Sequence, residues 1–179
     1  MRKLSLKELN RLSVTDFKAK KKTPLVIVLD NVRSALNVGS AFRTGDAFAV
    51  EKIVLCGITA KPPHREILKT AIGATDSVEW IYDESVETAV ENLRQAGYTL
   101  VAIEQAEGAI GLQDFQADVT RKYALIFGNE VKGVSDGVMQ LIDYCIEVPQ
   151  FGTKHSFNIS VCIGIVIWEL FRQLHFKST

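Results

Sequence analysis

Residues 24–43 read PLVIVLDNVRSALNVGSAFR. Leu25–Leu29 is an unbroken, largely β-branched apolar run, as expected of a strand buried on both faces. Polar residues from Asp30 to Ser34 interrupt it, and from Asn37 to Phe48 the apolar positions return at helical spacing. A fully apolar strand that feeds a helix through a polar turn is the unit of a parallel sheet. In such sheets ligands bind beyond the carboxyl ends of the strands, so the turn and first helical residues mark a site location.

Outward from this unit the alternation continues. Strands are predicted at Lys52–Cys56, Ser77–Tyr82, Tyr98–Ile103, Tyr123–Phe127 and Cys145–Val148. Helices are predicted near His64–Ala71 and over Ser85–Ala96, Asp136–Ile142 and Phe157–Leu174. Upstream, Leu4–Phe17 carries apolar residues mostly at helical spacing, and a charged linker, Lys18–Thr23, ends at Pro24. The pattern predicts an α/β domain with a parallel sheet covered on both faces, preceded by a short helix. The division is a basic extension over 1–23 and one domain over 24–179. The last helix is apolar on nearly every side from Ile159 to Trp168, which calls for deep burial or a second subunit. Gly164 in its middle suits a close approach of another backbone.

With 179 residues, 47% of them hydrophobic and 23% charged, the chain is long enough to bury a real core. No signal-peptide pattern opens it, and the apolar stretch Ile159–Trp168 is too short for a membrane span. Cys56, Cys145 and Cys162 lie far apart in apolar segments, so neither a disulfide framework nor a zinc spacing is expected. The cytosol is the expected compartment. Net charge is zero, yet residues 1–23 hold eight basic groups against two acids. Between Asp76 and Asp118 ten acids face one base, Arg94. The basic stretch reads either as a solvated tail or as an arm for a polyanion.

Three clusters carry chemistry. In the first, Gly39 and Arg43 lie four apart, so the missing side chain leaves room beside a guanidinium shaped to grip phosphate. Alternatively, Asn37 is a helix cap and Arg43 a surface ion-pair partner. The second, GNEVKGVS over 128–135, leaves a strand where a dinucleotide fingerprint would sit, but has Glu130 in place of a glycine. A carboxylate there would repel a pyrophosphate and tolerate a cationic sulfonium, so a nicotinamide dinucleotide is excluded. Glu130 could otherwise be a helix N-terminal acid favoured by the dipole. The third, VPQFGTKHSFNIS over 148–160, sets a glycine turn and a polar Ser-x-Asn-x-Ser before an apolar helix. It offers backbone donors and amides, or simply a helix cap.

In this order and spacing the clusters resemble the three motifs of the SpoU/TrmH family of RNA 2′-O-ribose methyltransferases, in the SPOUT superfamily. The matching residues are Asn37 and Arg43; Gly128, Glu130 and Gly133; and Pro149, Gly152, Ser156, Asn158 and Ser160. The resemblance covers roughly residues 24–175. It implies an α/β fold with a deep C-terminal trefoil knot, a homodimer, and S-adenosylmethionine as cofactor without a metal. It implies cofactor contacts at Ile103, Glu104, Gly128, Val148, Ser156 and Phe157. Catalysis would centre on Arg43, helped by Asn37, Glu130, Ser156 and Asn158. Gln150 stands where the family usually has methionine, and Phe157 where it has leucine. The implied reaction is methylation of an RNA ribose hydroxyl, with tRNA favoured over ribosomal RNA because the extension is a short basic helix. A silent RNA-binding homologue and a methyltransferase for protein or small molecules are the rival classes.

An arginine stays protonated near neutral pH, so Arg43 is expected to hold a phosphate and polarise the hydroxyl, with phosphate or water relaying the proton. His155 is the only nearby side chain with a suitable free pKa. It is read chiefly as a lysine-flanked loop residue able to touch RNA.

Overall fold

The computed structural model describes residues 1–176, so the last three residues of the expected 24–179 domain lie outside the described residues. Seven parallel strands form one sheet: β1 (Thr23–Asp30), β2 (Val50–Cys56), β3 (Trp80–Asp83), β4 (Tyr98–Ile103), β5 (Ile110–Gly111), β6 (Lys122–Phe127) and β7 (Tyr144–Glu147). Their spatial order is β3-β2-β1-β6-β4-β7-β5. Helices are α1 (Val14–Ala19), α2 (Ala35–Ala47), α3 (Arg65–Ala71), α4 (Ala74–Ser77), α5 (Val86–Gln95), α6 (Asp136–Met139) and α7 (Ile159–Phe176).

Alternate residues of the central strands face opposite cores. Leu25, Ile27 and Leu29 of β1 join α2 and α7 in one cluster, while Val26 and Val28 meet Val90 and Leu93 of α5 in the other. Both faces are therefore dry, which is why these strands read as unbroken apolar runs. Helix α7 has the length and apolarity of a membrane span, because its apolar character continues past the Ile159–Trp168 stretch. Its apolarity has a packing cause: Ile159, Ile163, Val166, Ile167 and Leu170 are buried in the first cluster.

The strand order places the site. The order in which strands are added reverses at β1, with β2 on one side and β6 on the other. The register aligns Leu29 with Phe127, Phe127 with Ile103, and Ile103 with Ile146. Asp30, Gly128, Glu104 and Glu147 thus leave four adjacent strands at the same level, at the switch point where open α/β sheets bind ligands.

Several boundaries differ from the sequence reading. The expected helix Leu4–Phe17 splits into a 3-10 turn at Leu6–Leu9 and α1. Asn10 adopts a left-handed φ of 45°, and Ser13 starts a new helix by accepting the Asp16 N–H. The expected strand Ser77–Tyr82 begins only at Trp80, because Ser77 ends the helical turn α4, where its Oγ bonds to Asp46. Helix α6 stops at Met139, three residues early. Helix α7 begins at Ile159 because the Asn158 side chain accepts the Ser160 N–H at 2.8 Å. The two-residue strand β5 is too short to leave a periodic signal. Within the extension, Leu4, Leu9 and Leu12 are exposed and Phe17 is buried in the main core.

Candidate functional site

Beyond these strand ends lies a cavity of about 540 Å³. Its wall contains Ile103, Glu104, Gly128, Val148, Ser156 and Phe157, every residue expected to touch a cofactor. Glu130, Asn158 and His155 also line it; Asn37 and Arg43 do not. Gln105, Phe127, Gln150 and Cys162 complete much of the remainder. Burial, then nearby Glu104, push the Cys162 thiol up to about 11. It therefore stays protonated at neutral pH and is a poor nucleophile.

The floor is the turn 128–135, held from several directions. Asn129 and Gly133 exchange backbone hydrogen bonds of 2.9 Å, closing a tight loop. Glu104 accepts the Val134 N–H at 3.0 Å. Asp30, fully buried, accepts the Ser135 N–H at 2.7 Å and the Ser135 hydroxyl at 2.7 Å, and the Asn31 amide at 2.8 Å. The sequence reading did not single out Asp30. Its one signal is a carboxylate ending an apolar strand, which in a buried setting must find donors.

Glu130 joins two of the clusters. Its carboxylate accepts the N–H groups of Arg33 at 2.9 Å and Ser34 at 3.0 Å, and the Asn37 amide at 3.2 Å. Ser34 is the N-cap of α2, accepting the Asn37 N–H, so Asn37 is not the cap. Glu130 is thus a helix N-terminal acid, but for α2 rather than for the helix that follows it in sequence. The Asn37 Oδ1 in turn accepts the Asn158 amide at 3.3 Å. One chain of contacts, Glu130–Asn37–Asn158, therefore ties all three clusters together.

Burial pushes the Glu130 carboxyl up, but the Arg33 N–H, its own N–H, the Ser34 N–H and the Asn37 amide outweigh it and hold the pKa below 4.5. A depressed folded-state value means stability that is fully present above the unfolded value and is lost as pH falls through the folded one. The melting temperatures of wild type and Glu130→Gln should differ by a constant amount near neutral pH. The gap should narrow on acidification below pH 4.5. Thermal melts across that range check this, and a gap unchanged in acid would contradict it.

The room expected beside Arg43 has another purpose. A Cβ on Gly39 would meet Thr70 Oγ1 at 2.1 Å and the Ile67 carbonyl at 2.3 Å, so this glycine lets α3 press against α2. Arg43 is exposed and makes no hydrogen bond or ion pair among the described residues, which removes its reading as an ion-pair partner. It lies about 9 Å along the helix from Asn37. Ser156 presents a hydroxyl with no partner among the described residues to the cavity.

Comparison with known proteins follows the same lines. A profile of the SpoU rRNA methylase family matches residues 24–168. The chain is 30% identical over 167 residues to the 23S rRNA (guanosine-2'-O-)-methyltransferase RlmB of Vibrio parahaemolyticus, covering 93% of this chain and 66% of that protein. It is 30% identical over 165 residues to the tRNA (guanosine(18)-2'-O)-methyltransferase of Aquifex aeolicus, covering 89% of this chain and 74% of that one. The chain therefore spans about two thirds of the length of curated relatives it matches. The AdoMet-bound rRNA methyltransferase of Sinorhizobium meliloti superposes with a TM-score of 0.78 at 25% identity, over 90% of this chain and 61% of that one.

Proposed function

The chain belongs to the SpoU rRNA methylase family, and we propose that it moves the methyl group of S-adenosylmethionine to a ribose 2′-hydroxyl of RNA. The observation that carries this reading is the cavity at the switch point, lined by cofactor-motif residues including Glu130 and Asn158, which Asn37 links from outside the wall. The wall suits the cofactor: Ile103, Phe127 and Val148 give an apolar bed for an adenine, and Glu104 and Glu147 tolerate a sulfonium. When bound, the cofactor supplies an electrophilic methyl on that sulfonium. Gly128, Val148, Ser156 and Phe157 would hold it, while Glu130 would anchor the start of α2, the helix that carries Asn37. Arg43 would grip the neighbouring phosphate and polarise the hydroxyl, and in-line placement would supply much of the rate. The proton would leave through phosphate or water, since Arg43 keeps its own.

Three finer readings belong with this one. The connection after β7 is threaded as a knot: β7 sits between β4 and β5, and Gln105 after β4 donates to the His155 carbonyl at 2.8 Å. The active form is a homodimer. Val161 (50% exposed) and Trp168 (48%) share the solvent face of α7, and a Cβ on Gly164 would meet nothing within 4 Å in a single copy. Ile163, by contrast, is 1% exposed and belongs to the core of the single copy. The basic extension 1–23 contacts RNA, tRNA in preference to ribosomal RNA, in the cytosol. The free cysteines fit that compartment.

Incubation with tritium-labelled cofactor and RNA from cells lacking the gene should place label in RNA and none in protein. Mapping 2′-O-methyl sites with and without the gene then identifies the nucleotide. Label in protein, or in nothing, would overturn the assignment. Light scattering of the same preparation should give about twice 19.8 kDa. Removing residues 1–12, which carry four basic groups and one acid, should flatten the salt dependence of RNA binding. An unchanged slope would remove residues 1–12 from the RNA contact.

A further inference from the structure

On the other side of the turn 128–135 lies a second concavity of about 550 Å³. It shares Asn129, Val131 and Gly133 with the first as a common ridge. Glu130 faces the cofactor side of that ridge, and Lys132 lines the far side. The volume falls in the range of small-molecule sites, roughly 300–1,000 Å³.

Its lining combines two chemistries. Arg33 and Lys132 are exposed, and neither side chain makes an ion pair or hydrogen bond among the described residues. Ile58 (67% exposed) and Val131 (73%) are aliphatic side chains left open to solvent. The one carboxylate on the wall, among the described residues, is Asp136.

The fold builds this exposure at a cost. Asn31 adopts a left-handed φ of 55°, and its Oδ1 accepts the Ile58 N–H at 3.2 Å, fixing the turn that lifts Ile58 outward. The Asn129 Oδ1 accepts the N–H groups of Val131 and Lys132 at 2.9 and 3.1 Å. The two turns are locked together where the Asn129 amide donates to the Asn31 carbonyl at 2.7 Å. Two cations without partners beside two exposed aliphatic groups, on a rigid wall, complement a phosphate joined to a flat apolar ring.

We infer that this concavity holds one nucleotide of the RNA chain adjacent to the methylated ribose, its phosphate between Arg33 and Lys132 and its base on Ile58 and Val131. The inference rests on the proposed RNA methylation. The Arg33, Lys132 and Ile58 side chains lie outside the cofactor cavity wall, so these residues position the substrate. The Arg33 N–H that supports Glu130 is backbone and survives truncation of the side chain.

The test measures steady-state methylation of RNA from cells lacking the gene, with cofactor affinity by calorimetry and RNA binding across salt concentrations. The double variant Arg33→Ala/Lys132→Ala should raise KM for RNA about tenfold or more. Its kcat and cofactor affinity should stay within about twofold of wild type, because the groups removed lie outside the cofactor wall and grip a phosphate rather than the reacting hydroxyl. Its salt slope should fall by roughly 0.7 to 0.9, one phosphate contact. The charge-keeping Arg33→Lys/Lys132→Arg variant should keep the slope, and Ile58→Ala/Val131→Ala should raise KM with the slope intact. An unchanged KM and slope in the first variant would overturn the inference. So would its dissociation to a monomer, which would make the concavity a subunit contact. Failure of wild-type protein to label RNA is a separate result and overturns the methylation reading itself.

Discussion

Arg43→Ala is expected to lower methyl transfer by roughly 10²–10³-fold, the usual loss for one group that stabilises transition-state charge. Cofactor affinity should be little changed. The expectation of a clean effect comes from where Arg43 sits. It is exposed on α2, is bonded to nothing among the described residues, and lies outside the cofactor cavity wall. Truncation therefore leaves no orphaned partner, and folding should be untouched. Arg43→Lys should fail almost as badly, because an ammonium replaces the charge without the planar fork that grips a phosphate. Single-turnover methylation beside calorimetry with the cofactor separates the two effects. Turnover near wild type in either variant would remove Arg43 from the reaction, and lost cofactor binding would move it to a different role.

Gly128→Ala should abolish detectable cofactor binding and destabilise the fold by about 1–3 kcal/mol, the typical cost of overpacking. The backbone conformation is not the obstacle, since Gly128 is absent from the positive-φ glycines. Space is. A Cβ would lie 2.1 Å from both Gly133 C and Val134 N, which are backbone atoms and cannot swing aside. Relief requires opening the turn, against the paired 2.9 Å bonds between Asn129 and Gly133 and the Glu104 bond to Val134. That turn is the floor of the cavity and carries Glu130. Gly152→Ala is the matched control, because a Cβ there meets nothing within 4 Å and no positive φ is needed. Calorimetry and thermal melts on both variants decide the matter. Normal cofactor binding by Gly128→Ala would show that the turn is not the cofactor floor.

The sequence by itself determined the class of this fold and the address of its site. Apolar strands such as Leu25–Leu29 and Ile53–Cys56 announce burial on both faces because the cores on either side leave no room for polar alternation. Gly128, Val148, Ser156 and Phe157, from two separate motifs, line one cavity. Periodicity reports only the local surroundings of a residue, however, and many of the contacts that build the site are long-range. Asp30 meets Ser135 across 105 positions, Glu130 meets Arg33 across 97, and Asn158 meets Asn37 across 121. A carboxylate in a sequence does not name its donors. Only the packed sheet, with β6 laid beside β1, brought Glu130 to the start of α2 instead of its own next helix. The same packing turned Gly39 toward α3 and left Arg43 outside the cavity, because a helix buries one side against its neighbours and offers the other to solvent.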